Sequence, residues 1–272
     1  MVSQEQRRRQ LAREKFLRQQ QRRTQARSKA RVRNSVIGSV LGVAVVGGLL
    51  VYTTGVFAGD GNAKDTKDTK AAVCGTPASG KAKSLQWKKE PAMTIDKSAK
   101  YSMKLATTCG DIDIAMKTAA APHTVNSFAF LAGKGYFDHT KCHRLTTEGI
   151  YVLQCGDPKG TGMGGPGYTI PDENLKDKSL KGNVYPAGTV AMANTFNAQT
   201  NTGRNSGGSQ FFLVYQDSRL PPDYTPFGTI SDDGMKVLKK IAAVGAEPQD
   251  PTTGNTAPKA NVVIDKATVT KS

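Results

Sequence analysis

The chain has 272 residues, a formal net charge of +16, 38% hydrophobic residues, four cysteines and one tryptophan. That length allows one good-sized domain with further segments attached. The charge does not describe a basic domain: residues 1–34 hold twelve Lys or Arg against Glu5 and Glu14, so the excess is largely a tail property.

The segment after the tail decides its meaning. From Ser35 to Ala58 no charged residue occurs, and Val, Ile, Leu, Ala and Gly dominate. As a helix, a run of this length spans about 36 Å, enough for a hydrocarbon core of about 30 Å. Basic charge on one side only predicts a single-pass signal anchor, with residues 1–34 cytoplasmic and the rest extracytoplasmic. A cleaved signal peptide ending at Val56-Phe57-Ala58 is the competing reading. The long charged region and an apolar run beyond the usual 7–15 residues or so favour the anchor. A tail tethered at a membrane is not expected to find nucleic acid.

Residues 59–84 alternate Gly, Asp, Lys, Thr, Ala and Ser, with almost nothing to bury. Such composition cannot offset the entropy of ordering, so 59–92 is assigned to a flexible stalk and 93–272 to the folded domain. Within that domain short alternating runs broken by Gly and Asn argue for antiparallel β structure. Strands are expected at Tyr101–Thr107, Asp111–Met116, Val190–Ala193, Phe211–Val214, Phe227–Ile230 and Val262–Thr268, with a hairpin over Cys142–Gln154. Two helices are expected: His123–Ala132 behind Pro122, a good helix start, and Asp233–Val244, acidic first and basic later. Asn194–Ser209 lacks apolar anchors and reads as a long surface loop.

Cys74, Cys109, Cys142 and Cys155 all follow the apolar run. An even number in an oxidising compartment points to disulfides, with three pairings open. Cys142 and Cys155 fall on neighbouring strands of the expected hairpin. The spacings hold no Cys-x-x-Cys and no clustered His, so no metal site is expected.

Gly160-Thr161-Gly162-Met163-Gly164-Gly165 fits a G-x-G-x-x-G pattern, yet Pro166 and Gly167 follow and no helix begins there to hold a pyrophosphate. It reads as a tight glycine loop. The chemistry lies instead in His143-Arg144, Gln154-Cys155-Gly156-Asp157, Met192-Ala193-Asn194 and Ser209-Gln210-Phe211-Phe212. These place a permanent cation and a glutamine among apolar and aromatic side chains, without a nucleophile or paired carboxylates. Such a site grips and polarises an uncharged substrate.

These segments resemble the cyclophilin family of peptidyl-prolyl isomerases over roughly the last two-thirds of the chain. The resemblance implies a mainly β fold, a closed eight-stranded antiparallel barrel capped by two helices, here preceded by the single transmembrane helix. It implies an isomerase acting on X–Pro bonds of extracytoplasmic proteins, with no cofactor. Arg144, Gln154 and Phe212 would be catalytic. Asn194 would present its backbone to the residue before proline. Phe212, Tyr151, Val152 and Leu220 would line the proline pocket, with His143, Ala193, Gln210 and Tyr224 around them. The sequence departs from the familiar pattern in several places. Cys142 stands where phenylalanine usually precedes His-Arg, and the Arg144–Gln154 connection is two residues longer. Arg219 replaces a tryptophan that contacts cyclosporin, so weak cyclosporin binding is expected. Tyr224 replaces an active-site histidine. The alternative function is a tethered adaptor or chaperone that binds proline segments with little turnover.

Overall fold

The structure is a computed structural model describing residues 73–271. The basic tail, the apolar run and the first part of the stalk lie outside the described residues. Among the described residues no helix is long and apolar enough to cross a membrane.

Among the described residues eleven strands and two α-helices follow one another. β1 (Tyr101–Thr107) and β2 (Gly110–Met116) form a hairpin, and α1 (Pro122–Gly133) follows. Next come β3 (Thr140–Lys141), β4 (Arg144–Leu145), β5 (Val152–Cys155) and, after a long meander, β6 (Val184–Tyr185). β7 (Thr189–Met192), β8 (Phe211–Val214), β9 (Ser218–Arg219) and β10 (Pro226–Ile230) precede α2 (Asp232–Val244) and β11 (Val263–Lys271). The sequence boundaries of the long elements hold to within a few residues.

Nine strands join in one sheet in the order β3-β11-β1-β2-β10-β7-β8-β5-β4, and β6 pairs with β9 separately. The expected eight-stranded closed barrel is therefore corrected to nine strands in a curled sheet. The reason is local. Residues 140–145 change partner midway, with Thr140–Lys141 on β11 and Arg144–Leu145 on β5. The sheet's two end strands are thus successive pieces of one segment, separated only by Cys142 and His143, and the sheet must curl to satisfy both. β10 pairs with β2 and β7, and its Pro226 sits at the strand start beside an irregularity in register, a position that spares the missing N–H.

α1 has no side-chain N-cap and no acid of its own in its first turn. Glu173 supplies both from a distant segment, its carboxylate accepting from His123 N (3.0 Å) and Thr124 N (2.9 Å). The first-turn N–H groups of a helix lack internal partners and carry partial positive charge. α2 is capped locally: Ser231 accepts from Gly234 N at 3.1 Å, with Asp232 and Asp233 in the first turn. Phe128 of α1 anchors the core, its ring 4.6 Å from Phe227, 5.2 Å from Phe137 and 5.5 Å from Phe211.

Both disulfides are now specified: Cys74–Cys109 and Cys142–Cys155. The first bears on the stalk. In its described part, from Val73 on, the segment lies across the domain as a strap. Gly75 N donates to Thr108 O (2.7 Å) and Trp87 N to Pro166 O (2.8 Å). The Trp87 ring packs edge-on against Phe130 at 5.1 Å, and Glu90 meets His123 Nδ1 at 2.7 Å. Polar composition predicted a free chain; one covalent bond and one large aromatic ring hold it down instead.

Candidate active site

Strand alternation builds the site. Across β4, β5, β8 and β7 the register pairs Arg144 with Gln154, Gln154 with Phe212, and Phe212 with Ala191. Directly opposed residues share a face of the sheet with Cβ atoms about 4.5–5.5 Å apart. These four therefore form one row on the outer face, turned away from the main core. Their chain neighbours Leu145, Leu153, Phe211 and Val190 all belong to that core. The outer face has a smaller cluster of its own: Val152, Tyr185, Ala191, Phe212 and Val214, with Ala193, Leu220 and Tyr224 packed against it.

Three aromatic rings frame this apolar pocket. Phe212 lies 5.5 Å from Tyr224 and 6.2 Å from Tyr185, both in edge-on contact. The Tyr185 hydroxyl donates to Tyr224 O (2.7 Å) and accepts from Tyr224 N (3.1 Å), which fixes the loop carrying Tyr224. Its burial pushes the Tyr185 hydroxyl well above the usual tyrosine range. Arg204 pins the same region from the Asn194–Ser209 loop, pairing with Asp223 and Asp172 and lying 3.4 Å over the Phe196 ring.

Beside the pocket runs a polar relay. Arg144 Nη1 donates to Gln154 Oε1 (3.2 Å), and Gln154 Nε2 to Gln210 Oε1 (2.9 Å). Gln210 Nε2 donates to the carbonyls of Gly162 and Gly164, both at 2.9 Å. The two carbonyls set the direction of the whole chain. They need a donor, so the Gln210 amide turns its NH2 to them and its oxygen to Gln154; Gln154 must then offer its own oxygen to Arg144.

Asp157 holds the carbonyls in place. Buried at 0% exposure, it accepts from the backbone N–H groups of Lys159 (2.8 Å), Thr161 (2.9 Å), Gly162 (2.8 Å) and Gly164 (3.1 Å). Burial alone would raise this carboxyl, but the converging donors outweigh it and hold the pKa below the usual aspartate value. Gly164 allows the close wrap, since a Cβ there would stand 1.9 Å from Asp157 Oδ1. The motif read as a tight glycine loop is thus an anion-binding nest closed around a carboxylate of the same chain.

Arg144 is half-buried. Desolvation lowers its pKa and the nearby Tyr224 opposes this, but a guanidinium stays charged in any case. Of the expected pocket residues, Val152, Phe212, Leu220, Ala193 and Tyr224 come together in or against the outer cluster, and Gln210 serves in the relay. Tyr151 does not join them. Val152 and Gln154 share the outer face, so Tyr151 is turned aside and packs edge-on against Tyr215 at 5.9 Å. His143 is buried, neither ring nitrogen has a hydrogen-bond partner, and burial lowers its pKa. Asn194 donates from its amide to Asp223 O (2.7 Å).

A second hollow opens on the far side of Gln154 and Gln210. It has a volume of about 860 Å³ and is lined by Ala193, Asn194, Met163, Lys159 and, from the strap, Gln86. Sequence reading missed Gln86 and Tyr185. Only Trp87, an isolated tryptophan in a polar run, marked the strap as something other than linker.

The comparisons with known proteins agree with this geometry. The family model described as "Cyclophilin type peptidyl-prolyl cis-trans isomerase/CLD" matches residues 102–269. The chain belongs to the cyclophilin family. It is 52% identical over 155 residues to a probable peptidyl-prolyl cis-trans isomerase B of Mycobacterium leprae, covering 54% of this chain and 50% of that protein. A peptidyl-prolyl cis-trans isomerase of Synechococcus elongatus is 37% identical over 139 residues, 50% of this chain and 86% of its own length. A crystal structure of a Cryptosporidium parvum cyclophilin type isomerase is similar with a TM-score of 0.51 and 27% identity, covering 64% of this chain and 99% of that one. The chain thus spans about half the length of the mycobacterial relative.

Proposed function

We propose that this cyclophilin is a peptidyl-prolyl cis-trans isomerase acting on exposed X–Pro bonds of folding proteins. The observation that carries the reading is Arg144, held by the Gln154–Gln210 relay, in the same row as the Phe212 pocket. Amide resonance gives X–Pro rotation a barrier of about 18–20 kcal/mol. Turning the carbonyl out of plane breaks the resonance and localises a lone pair on the prolyl nitrogen. A fixed guanidinium donates to that lone pair, which exists only in the twisted state, so the interaction is made to the transition state and not to the planar ground state. The apolar cluster grips the pyrrolidine ring while the acyl side rotates. The relay keeps the guanidinium from reorganising at that moment.

Isomerisation of a proline tetrapeptide, followed for the wild-type chain and for Arg144→Ala, tests this. The variant is expected to lose about 10²–10³ in kcat/KM, the usual effect of removing a transition-state donor. Equal rates would refute it and leave a binding module.

The same proposal places the domain outside the cytoplasm, anchored in the plasma membrane by residues 35–58. Two disulfides support an oxidising compartment, and the charge asymmetry around the apolar run supports the orientation. Proteins folding at the outer membrane surface would be the substrates. Protease added to intact cells should then release the domain by cutting within 59–72; protection until lysis would refute the orientation. Cyclosporin is expected to bind weakly because Arg219 is exposed where the family's drug-contacting tryptophan stands; inhibition at nanomolar drug would overturn that.

A further inference from the structure

The strap is more than a tether. Gln86 Nε2 donates to Gly165 O at 2.6 Å and Trp87 N donates to Pro166 O at 2.8 Å. The strap therefore lies alongside the segment that continues from the glycine loop and extends the wall of the 860 Å³ hollow. The approach is close: a Cβ at Gly167, whose φ is +87°, would stand 2.7 Å from Trp87 O and 2.8 Å from Gln86 Oε1. Trp87 locks the position from behind, its ring 5.1 Å from Phe130 and 5.9 Å from Tyr136.

The hollow is continuous with the catalytic row through Gln154 and Gln210, which border both. Ala193 packs against the apolar cluster and lines the hollow as well. A substrate whose proline ring sits in the cluster turns its acyl side over Arg144 and Gln154, so the chain preceding the proline faces the hollow. The polar lining side chains are amides, hydroxyls and one cation, Lys159, set beside Met163, Pro166 and Ala193; none is a carboxylate among the described residues. That chemistry suits an extended segment of polar, neutral or acidic residues.

We propose that Gln86, set at the rim by Trp87, is a specificity-determining residue that contacts the substrate residues preceding the X–Pro bond. The proposal rests on the isomerase reading and deepens it. Two substrates separate the two ideas: a minimal X–Pro peptide, and the same peptide extended on its amino side by several Ser and Gln residues. Both are assayed with the full chain and with Gln86→Ala.

The variant is expected to lose about fivefold in kcat/KM on the extended peptide, as for one polar contact, and to keep the wild-type value on the minimal one. Trp87, the only tryptophan of the chain, gives an independent readout. Its emission should shift on titration with the extended peptide and stay constant with the minimal one. If the wild type turns over neither peptide, the isomerase reading fails. If it turns over both, while Gln86→Ala affects them equally or Trp87 ignores the extended peptide, the strap proposal fails. Preserved turnover of the minimal peptide shows at once that the variant is folded.

Discussion

The two faces of β5, β7 and β8 are made of adjacent residues with similar burial, yet they do different work. Phe211 is 0% exposed and Phe212 5%, but the first packs into Phe128 and Phe137 and the second frames an open groove with Tyr185 and Tyr224. Leu153 and Gln154, or Leu145 and Arg144, change face in the same way one residue apart, there with the polar residue half-buried. Burial alone therefore does not separate core from site here. What separates them is the phase of the alternation, because a single-residue shift in a strand exchanges faces.

Substituting neighbours tests that contrast most severely. Phe211→Ala should lower unfolding free energy by about 3–5 kcal/mol, as for a buried aromatic truncated in a packed core. Measured per folded molecule at low temperature, its kcat/KM should remain close to wild type. Phe212→Ala should show the reverse balance, with a smaller loss in a denaturant titration and at least a tenfold fall in kcat/KM. If the two variants proved alike in both measurements, the division into a structural and a chemical face would be wrong.

The disulfide Cys142–Cys155 lies on the core face, yet it ties the residue two before Arg144 to the residue after Gln154. It closes a separation of 13 residues, whereas Cys74–Cys109 closes 35 and holds the strap. In the chain-entropy account the bonds contribute roughly 3 and 4 kcal/mol respectively. Paired Cys→Ala variants should follow that order in denaturant midpoints. Activity should reverse it: loss of Cys142–Cys155 should reduce kcat/KM on a minimal peptide several-fold by loosening Arg144, and loss of Cys74–Cys109 should leave it unchanged. A fall of equal size in both would remove any special role for the bond beside Arg144.

The contrast between faces also explains what was legible in the sequence. Asp111–Met116 alternates cleanly, and its observed strand buries Ile112, Ile114 and Met116. Arg144 and Gln154 were readable because ten residues of hairpin bring them into register. Tyr151 was misplaced because it stands one step out of phase with Val152 and Gln154, so alternation turns its ring aside onto Tyr215. The strap was hidden for another reason. Its order comes from one disulfide and one ring acting at long range, features that average composition dilutes. The two-residue strands β6 and β9 carry too few residues for any alternation to show, although Tyr185 of β6 clamps the pocket loop.

The smallest effect expected is that of pH on turnover. No group in the catalytic row changes charge near neutrality. Arg144 remains a cation, and the relay amides do not titrate. Tyr224 has its pKa raised, first by burial and then by Asp223, with Arg144 opposing, so it stays protonated beyond the ordinary value of about 10. His143 is held below its ordinary value of about 6.5, chiefly by burial. Its folded pKa is depressed, so protonation favours the unfolded chain, and stability declines as pH drops below about 6.5. Asp157 adds to this at lower pH. Its folded pKa is also depressed, so its contribution is complete above about 3.9 and is lost as pH falls through the folded value. Between about pH 7 and 9.5, kcat/KM on a minimal peptide should therefore be flat, and His143→Gln should leave the shape of the profile unaltered. An inflection inside that window, abolished by His143→Gln, would mean that the imidazole takes part in the reaction and that the buried face reaches into the chemistry after all.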